Sequence, residues 1–239
     1  MRILILGGTA EARALAGALV EAGHAVTSSL AGRTSEPLLP AGAVRIGGFG
    51  GAAGLAAYLR EQGFDQLVDA THPYAATISA NAVAAAREIG VPLLRLLRPG
   101  WAPGAAWQLV ADAAAAARAL PTGARVLLTT GHADLGTYLG RTDCRFFARV
   151  IEPPAAPLPA HAELIVSRPP YGIEAERALL ARHGITHLVS KNSGGAAGAA
   201  KLAAAAERGV KIVMLARPRY APAREVASVA AALAALAGP

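Results

Sequence analysis

The chain opens with Met1-Arg-Ile-Leu-Ile-Leu-Gly-Gly-Thr-Ala-Glu-Ala-Arg-Ala14, and this stretch decides the fold. The apolar run from Ile3 to Leu6 is typical of a strand that is buried on both faces. Gly7 and Gly8 follow it, and an Ala- and Leu-rich segment with helical spacing then runs from Thr9 to Glu21. A strand, a glycine turn and a helix start favour an anion site, because the free N–H groups and the positive end of the helix dipole lie over the turn.

The turn differs from the dinucleotide fingerprint G-x-G-x-x-G at two positions. Gly7 takes the first position, but Thr9 and Ala12 replace the second and third glycines. Ala12 still permits close packing of helix on strand, while Thr9 can cap the helix and offer its hydroxyl group to a phosphate. Two interpretations stay open at this point: a phosphate site, which the pattern favours, and a capped turn without a ligand.

Length and composition restrict the class of protein. A chain of 239 residues suits one large domain or two small ones, and 54% hydrophobic with 16% charged residues indicates a globular protein. No apolar run reaches the roughly 20 residues of a membrane span, and no secretory signal is recognised, so no membrane partner is expected. The single Cys144 excludes an internal disulfide bond and fits a reducing cytoplasm, which is the predicted location.

The net charge of +7 favours an anionic partner. The basic residues are scattered, without the Lys and Arg runs or interleaved aromatic residues that mark a nucleic-acid surface. We therefore expect a polyanionic small molecule and no nucleic acid. The six histidines are dispersed and the one cysteine forms no ligand cluster, so no metal site is predicted.

The end of the second predicted strand, Ala25 to Leu30, indicates the nucleotide preference. In a dinucleotide fold this point meets the adenosine ribose, and a carboxylate there selects NAD. No carboxylate occurs before Glu36, whereas Ser29, Arg33 and Thr34 can hold a 2′-phosphate, the arginine through its bidentate fork. The alternative is that Arg33 is an ordinary loop arginine that is exposed to solvent and binds no phosphate. Together with the glycine turn, the pattern favours NADPH, with NADH possible.

A second candidate site follows the predicted strand Leu67 to Ala70. Ligands of open parallel sheets bind outside the carboxyl ends of the strands. The imidazole of His72 and the phenol of Tyr74 are therefore expected where chemistry would take place. Asp69 is expected to be structural, accepting hydrogen bonds from the backbone or from His72.

Strands alternate with helices along the whole chain, which predicts an α/β fold of parallel sheets covered by helices on both faces. The Pro- and Gly-rich loop from Gly100 to Ala106 is the expected linker. Two Rossmann-like domains are predicted, residues 1–100 for the nucleotide and residues 101–239 for the substrate, with a cleft between them. The second domain is expected to end in a helix from Pro222, a residue suited to the first helical position, to Ala237.

Five motifs occur in a fixed order along the chain. They are Ile5-Leu-Gly-Gly-Thr-Ala-Glu-Ala-Arg13, Ser29-Leu-Ala-Gly-Arg33, Asp69-Ala-Thr-His-Pro-Tyr-Ala75, Thr129-Thr-Gly131 and Ser190-Lys-Asn-Ser-Gly-Gly195, and Arg217-Pro218 comes before the last helix. The set resembles the precorrin-6A reductase family of cobalamin biosynthesis, which includes the cobalt-precorrin-6A reductases. The resemblance covers nearly the whole chain, and its most distinctive parts are the third and fifth motifs.

The resemblance implies a hydride transfer from NAD(P)H to the polyanionic tetrapyrrole precorrin-6A. The C18=C19 double bond is reduced to give precorrin-6B, and the cofactor lies in the cleft between two Rossmann-like domains. The positions that match the family are Gly8, Thr9 and Glu11 in the nucleotide turn, Ser29, Gly32 and Arg33 after strand two, His72 and Tyr74 after strand four, and Lys191 to Gly195 in the second domain. The chain departs from the family after Arg168, where Pro169-Pro170-Tyr171 replaces a frequent Gly-Pro-Phe segment.

Such a reaction needs a proton donor and cationic groups for the carboxylates of the substrate. Lys191 is the first candidate donor, because a helix start next to it would disfavour its charged form. An anchor for a substrate carboxylate is the competing role for Lys191, and His72, Tyr74 and an ordered water are rival donors. The predicted substrate-binding residues are Arg98, Arg168, Asn192, Ser193 and Gly194.

Two other classes of protein stay open, a nucleotide-sensing regulatory module without turnover and a tetrapyrrole-modifying transferase. A sensor would need only the first 100 residues, so the second βα half favours the enzyme. The oligomeric state is left open by the sequence.

Overall fold

A computed structural model describes residues 1–32, 38–104 and 107–237 of the chain. The chain divides into two compact units, which we call unit 1 (residues 1–99 and the segment that begins at Pro218) and unit 2 (residues 100–217). No helix within the described ranges is long and apolar enough to cross a membrane.

The described residues form twelve strands, six in the sheet of each unit, and eight α-helices. The strands are β1 (Arg2–Leu6), β2 (Ala25–Leu30), β3 (Ala43–Ile46), β4 (Gln66–Asp69), β5 (Leu93–Leu96), β6 (Trp107–Val110), β7 (Arg125–Leu128), β8 (Arg145–Val150), β9 (Ala162–Val166), β10 (His187–Lys191), β11 (Lys211–Leu215) and β12 (Arg224–Val226). The helices are α1 (Ala10–Glu21), α2 (Ala52–Gln62), α3 (Ala76–Ile89), α4 (Ala113–Ala119), α5 (Leu135–Leu139), α6 (Ile173–Arg182), α7 (Ala200–Glu207) and α8 (Val229–Leu236).

Unit 1 is a parallel six-stranded sheet in the order β12-β5-β4-β1-β2-β3. This is the doubly wound order 3-2-1-4-5-6, with β12 as the sixth strand. The apolar run of β1 contributes side chains to the hydrophobic cores on both faces of the sheet. Ile3 and Ile5 belong to the core that includes α1 and α8, whereas Leu4 and Leu6 belong to the core that includes α2 and α3. The predicted strand buried on both faces is therefore confirmed.

Unit 2 repeats this arrangement in a parallel sheet of order β6-β11-β10-β7-β8-β9. With β7 as its first strand, the order is again 3-2-1-4-5-6, and β6 takes the sixth place. Its core combines Leu127, Leu188 and Ile212 of the sheet with Leu180 of α6 and Leu202 of α7. The predicted α/β class with two parallel sheets is correct.

The sixth strands are exchanged between the units. β6 follows β5 along the chain but pairs with β11, and β12 follows β11 but pairs with β5. The expected second domain, residues 101–239, was therefore wrong at its end, because the chain returns to unit 1 at Pro218. The predicted closing helix from Pro222 was wrong in the same place: strand β12 comes first, and Ser228 caps α8.

Candidate functional site

The Gly7-Gly8-Thr9 turn links β1 to α1 at the carboxyl end of the unit 1 sheet. The N–H of Gly7 donates to the carbonyl of Ser29 at 2.9 Å, which holds the turn against the end of β2. Gly8 has a φ of +103°, and a Cβ built there would meet no heavy atom within 4 Å. The turn therefore needs a glycine for its backbone and has open space above it.

Thr9 performs the predicted capping role, and its hydroxyl group also makes a hydrogen bond to another part of the chain. Its Oγ1 accepts from the N–H of Ala12 at 3.0 Å and donates to the carbonyl of Ala70 at 2.8 Å. The one hydroxyl hydrogen is thus used to tie the turn to the end of β4. The phosphate contact of Thr9 stays a prediction, because the hydroxyl would have to exchange its bond to Ala70 for one to the ligand.

Glu11 and Arg98 form an ion pair with Nη1 and Oε2 at 2.8 Å. The sequence assigns Glu11 to the nucleotide and Arg98 to the substrate, and the structure brings both to one place. They border a small depression together with Thr9, Thr71, Pro73 and Leu96. The carboxylate of Glu11 is therefore partly neutralised at the start of α1.

Asp69 is structural, as predicted, and accepts a hydrogen bond from the backbone N–H of Thr71 at 3.3 Å, one of the two kinds of partner expected. Its carboxylate accepts from the Thr71 hydroxyl at 2.7 Å and from Arg95 Nε at 3.4 Å. Asp69 and Arg95 are both buried, with side chains 2% and 4% exposed. The pair joins the ends of β4 and β5 below the candidate residues His72 and Tyr74.

His72 and Tyr74 lie directly beyond β4, where the sequence places them. The ring of His72 is exposed, and its Nδ1 accepts from the N–H of Tyr74 at 3.2 Å. A neutral ring with Nδ1 as acceptor carries its proton on Nε2. The two ring centres are 5.9 Å apart.

The returning segment of unit 1 completes this part of the site, and sequence reasoning missed it. The hydroxyl of Tyr220 donates to the carbonyl of Pro73. The guanidinium of Arg95 lies 4.9 Å from the centre of the Tyr220 ring and donates to the carbonyl of Ala221 at 3.1 Å. The Arg217-Pro218 motif before this segment was the only signal of it in the sequence.

The adenosine side of the site lies at the ends of β2 and β3. Ser29 is buried, and its Oγ accepts from Arg45 Nη1 at 3.3 Å. Gly32 has a φ of +69°, and a Cβ on it would lie 3.1 Å from Ile46 Cγ2, so the loop requires glycine there. The candidates Arg33 and Thr34 lie outside the described residues.

In unit 2, Lys191 ends β10 and contacts the turn after β7. Its Nζ donates to the carbonyl of Thr130 at 2.6 Å and lies 3.1 Å from Asp134 Oδ2. A 3₁₀ turn, Ala196–Gly198, follows Gly195, and helix α7 begins at Ala200. The groups that contact Nζ are thus a backbone carbonyl and a carboxylate, and the role of Lys191 as donor or anchor stays a prediction.

Asn192, Ser193 and Gly194 form a tight turn that is held by other residues of unit 2. The Asn192 side chain accepts from the N–H of Trp101 at 2.8 Å and donates to the carbonyl of Trp101 at 3.2 Å. Arg217 donates to the carbonyls of Asn192 and Ser193 at 2.8 and 3.2 Å. The amide group of Asn192 is thus used to fix the chain at Trp101.

The region around Arg168 combines exposed and buried charges. Arg168 itself is exposed between β9 and α6. Beneath it, Tyr171 donates to the carbonyl of Ser167 at 2.9 Å, and the buried Arg149 lies 4.1 Å from the Tyr171 ring and pairs with Glu176 at 2.8 Å. The tyrosine that replaces the family's frequent phenylalanine therefore has a hydrogen-bonding role of its own.

Lys201 of α7 is a buried cation that sequence reasoning passed over. Its Nζ lies 5.5 Å from the centre of the Trp101 ring. Burial, helped by the positive charge of Arg149 and opposed by the negative charge of Glu176, lowers its pKa to about 8. Among the described residues, no group of His, Cys, Asp and Glu side chains could hold a metal ion.

Two parallel sheets of Rossmann strand order, with a glycine turn at the switch in strand order of the first, define an α/β protein of the Rossmann type. A family model described as precorrin-6x reductase CbiJ/CobK matches residues 2–237. The chain belongs to this reductase family, and it is therefore an oxidoreductase. The resemblance inferred from the five motifs is confirmed.

Individual relatives agree with this assignment. A precorrin-6A reductase of Rhodococcus erythropolis is 48% identical over 98% of this chain and 96% of its own length. A cobalt-precorrin-6A reductase of Priestia megaterium is 30% identical over 91% of each chain. A solved structure of CobK precorrin-6A reductase is 40% identical, covers 99% of this chain and 96% of its own, and has a TM-score of 0.94. Because the chain belongs to a reductase family, the two alternative classes, a nucleotide-sensing module without turnover and a tetrapyrrole-modifying transferase, are not favoured.

Proposed function

We propose that this chain catalyses the NADPH-dependent reduction of the C18=C19 double bond of precorrin-6A to precorrin-6B in cobalamin biosynthesis. The observation that carries the proposal is the glycine turn after β1 in a sheet of order 3-2-1-4-5-6. In such sheets a dinucleotide binds at the carboxyl ends of the strands where the order reverses, and β1 lies at that reversal.

The residues of unit 1 fit a dinucleotide. Gly8 leaves open space over the turn, and the first N–H groups of α1 have no partners within the helix. Glu11, whose charge would repel a phosphate, is paired with Arg98. The N–H groups of residues 8–11 would hold the pyrophosphate, and Ser29 and Gly32 would face the adenosine ribose, with Arg33 and Thr34 as further proposed contacts.

The bound nicotinamide supplies the hydride, and the chain must supply a proton to the neighbouring carbon. We assign this proton to Nε2 of His72 in its imidazolium form, because the residue is exposed at the end of β4 and can take up a proton from solvent. The N–H of Tyr74, which donates to Nδ1 of the neutral ring, would give up that contact while the ring is protonated and regain it after the proton is transferred. The hydroxyl of Tyr74, from the same loop, is the second candidate.

The polyanionic substrate requires anchors of opposite charge. Lys191 is assigned to this role and not to proton transfer, because a carbonyl and a carboxylate already orient its ammonium group. Arg98 and Arg168 are further proposed anchors, and Ser193 and Gly194 offer backbone contacts. Asn192 would act indirectly, by holding the turn against Trp101.

Nucleotide binding is tested by a valine at Gly8, with Gly131 as its matched control. Both glycines have positive φ values, +103° and +80°, so both substitutions impose a comparable backbone strain. We expect Gly8→Val to weaken NADPH binding about 100-fold in calorimetry, and Gly131→Val to change it less than about threefold. An equal loss in both variants would contradict the placement of the nucleotide at the Gly8 turn.

The roles in the reaction are separated by kinetics with precorrin-6A. We expect His72→Gln to lower kcat about 100-fold with little change in KM, and Lys191→Ala to raise KM while keeping kcat. The reverse pattern would make Lys191 the donor. Nucleotide preference is read from wild type and Arg33→Ala with both cofactors, and equal use of NADH by wild type would reject the NADPH assignment.

A further inference from the structure

Arg45 lies at the carboxyl end of β3, beside the end of β2. In the parallel pairing of these strands, Arg45 is the register partner of Ser29. The end of β2 is where a Rossmann sheet meets the adenosine ribose and any phosphate on its 2′-oxygen. The sequence pattern directed attention to the loop after β2, and Arg45 on the neighbouring strand was not among its candidates.

The guanidinium of Arg45 is fixed in place by its own loop. Nη1 donates to the carbonyl of Gly47 at 2.7 Å, and Nη2 donates to the carbonyl of Gly48 at 2.6 Å. Its central carbon lies 3.9 Å from the centre of the Phe49 ring and 5.1 Å from that of Tyr58. These contacts orient the group, and none of them is made by a carboxylate of the described residues.

One edge of this guanidinium stays available. The second hydrogen of Nη1 points to Ser29 Oγ at 3.3 Å. Within the described parts of the chain, Nε–H and the second Nη2–H have no acceptor, and no carboxylate lies within 4.0 Å of the group. Nε and Nη2 share one edge of the planar fork, which is the geometry that binds a phosphate through two parallel hydrogen bonds.

We propose that Arg45 binds the 2′-phosphate monoester of NADPH through its Nε–Nη2 edge. Ser29 completes the site, because its hydroxyl accepts from Arg45 and can donate its own hydrogen to a phosphate oxygen. The proposal rests on the proposed nucleotide site of unit 1 and assigns nucleotide selectivity to a residue of β3.

The test compares wild type, Arg45→Met and a control, Arg60→Met. Among the described residues, the side chain of Arg60 makes an exposed ion pair with Glu88 at 3.5 Å, so its substitution removes the same charge from the same unit without touching the site. The ratio of kcat/KM for NADPH to kcat/KM for NADH is measured, together with calorimetric affinities for 2′,5′-ADP and 5′-AMP. We expect Arg45→Met to lower both the kinetic ratio and the preference for 2′,5′-ADP about 10- to 100-fold, and Arg60→Met to change neither.

Each outcome decides between a specific and a structural role. Loss of the kcat/KM for both nucleotides with an unchanged ratio would mean that Arg45 only supports the loop, and would overturn the proposal. An unchanged preference for 2′,5′-ADP in Arg45→Met would do the same. Wild type that lacks any preference for the 2′-phosphate would instead reject the NADPH assignment itself. Arg45→Lys, which keeps the charge but loses the fork, is expected to fall between wild type and Arg45→Met.

Discussion

The two units have the same strand order but differ at the turn after their first strand. In unit 1 this turn is Gly7-Gly8-Thr9, open above Gly8 and followed by the twelve-residue helix α1. In unit 2 the corresponding turn, Thr129-Thr130-Gly131, leads into a 3₁₀ turn and the five-residue helix α5, and Lys191 and Asp134 lie against it. An anion site needs free N–H groups and a helix behind them, so topology alone does not make one.

A second difference lies inside the sheets. The register ends with Leu6 opposite Asp69 in unit 1 and with Leu128 opposite Val189 in unit 2. At the next strand, Asp69 is opposite Arg95, whereas Val189 is opposite Val213. Unit 1 thus buries an ion pair where unit 2 buries two valines, and that pair supports the loop of His72 and Tyr74.

The largest expected effect comes from replacing Asp69 and Arg95 of unit 1 by valine, the residue at both corresponding positions of unit 2. Arg95→Val leaves the buried Asp69 carboxylate without its cationic partner, whereas Asp69→Val leaves the buried Arg95 with the half-exposed carboxylate of Glu225 at 3.8 Å. Each should lower the free energy of unfolding by about 3–5 kcal/mol, and Arg95→Val by the larger amount. The double variant should lose clearly less than the sum of the two, because no unpaired buried charge remains. Hydrogen exchange of the unit 1 sheet amides measures the difference.

The control for this series is Arg60→Leu, which breaks the exposed pair with Glu88 and should cost less than about 1 kcal/mol. Additive losses in the double variant would show that Asp69 and Arg95 act independently. In that case the buried pair would not be what distinguishes unit 1 from unit 2.

Features of the site that depend on local sequence could be predicted. The β1 turn, its threonine cap and the position of His72 and Tyr74 follow from apolar runs and turn residues that are close in sequence. The two-sided burial of β1 was readable because Ile3 to Leu6 is apolar without interruption. The parallel sheets followed from the alternation of strands and helices.

Features that depend on distant partners could not be predicted. The Thr9 hydroxyl donates to Ala70, and no pattern near Thr9 announces that acceptor. β12 has only three residues, too few to show a strand period, and it pairs with β5 of the other half of the sequence. Arg45 was missed because its importance comes from its neighbour across the sheet, Ser29.

The next largest expected effect is the pH dependence of stability that comes from Lys201, the buried lysine of unit 2. Burial keeps the pKa of Lys201 at about 8, below the ordinary value of 10.5, so the unfolded chain binds more protons between these two pH values. The stability of unit 2 should therefore rise as the pH increases from about 8 to 10.5. Lys201→Met should remove this rise and stabilise unit 2 at pH 7 by roughly 2–3 kcal/mol. Chemical denaturation across this pH range measures the free energy of unfolding and its pH dependence, and Lys211→Met, at an exposed lysine, is the control. If Lys201→Met keeps the rise of stability with pH, the rise comes from another titrating group.

The smallest effect tests the exchange of the sixth strands. Ser228 Oγ caps α8 by accepting from the N–H of Ala231 at 3.2 Å, and Asp112 Oδ1 caps α4 by accepting from the N–H of Ala115 at 2.7 Å. Loss of either cap should cost about 1 kcal/mol.

Because β12 and α8 belong to unit 1, Ser228→Ala should lower the hydrogen-exchange protection of β5 and α1 and leave the unit 2 sheet unchanged. Asp112→Ala should lower the protection of β11 and leave unit 1 unchanged, because α4 follows β6. If each strand and helix instead joined the sheet that precedes it in the sequence, the two variants would show the opposite pattern.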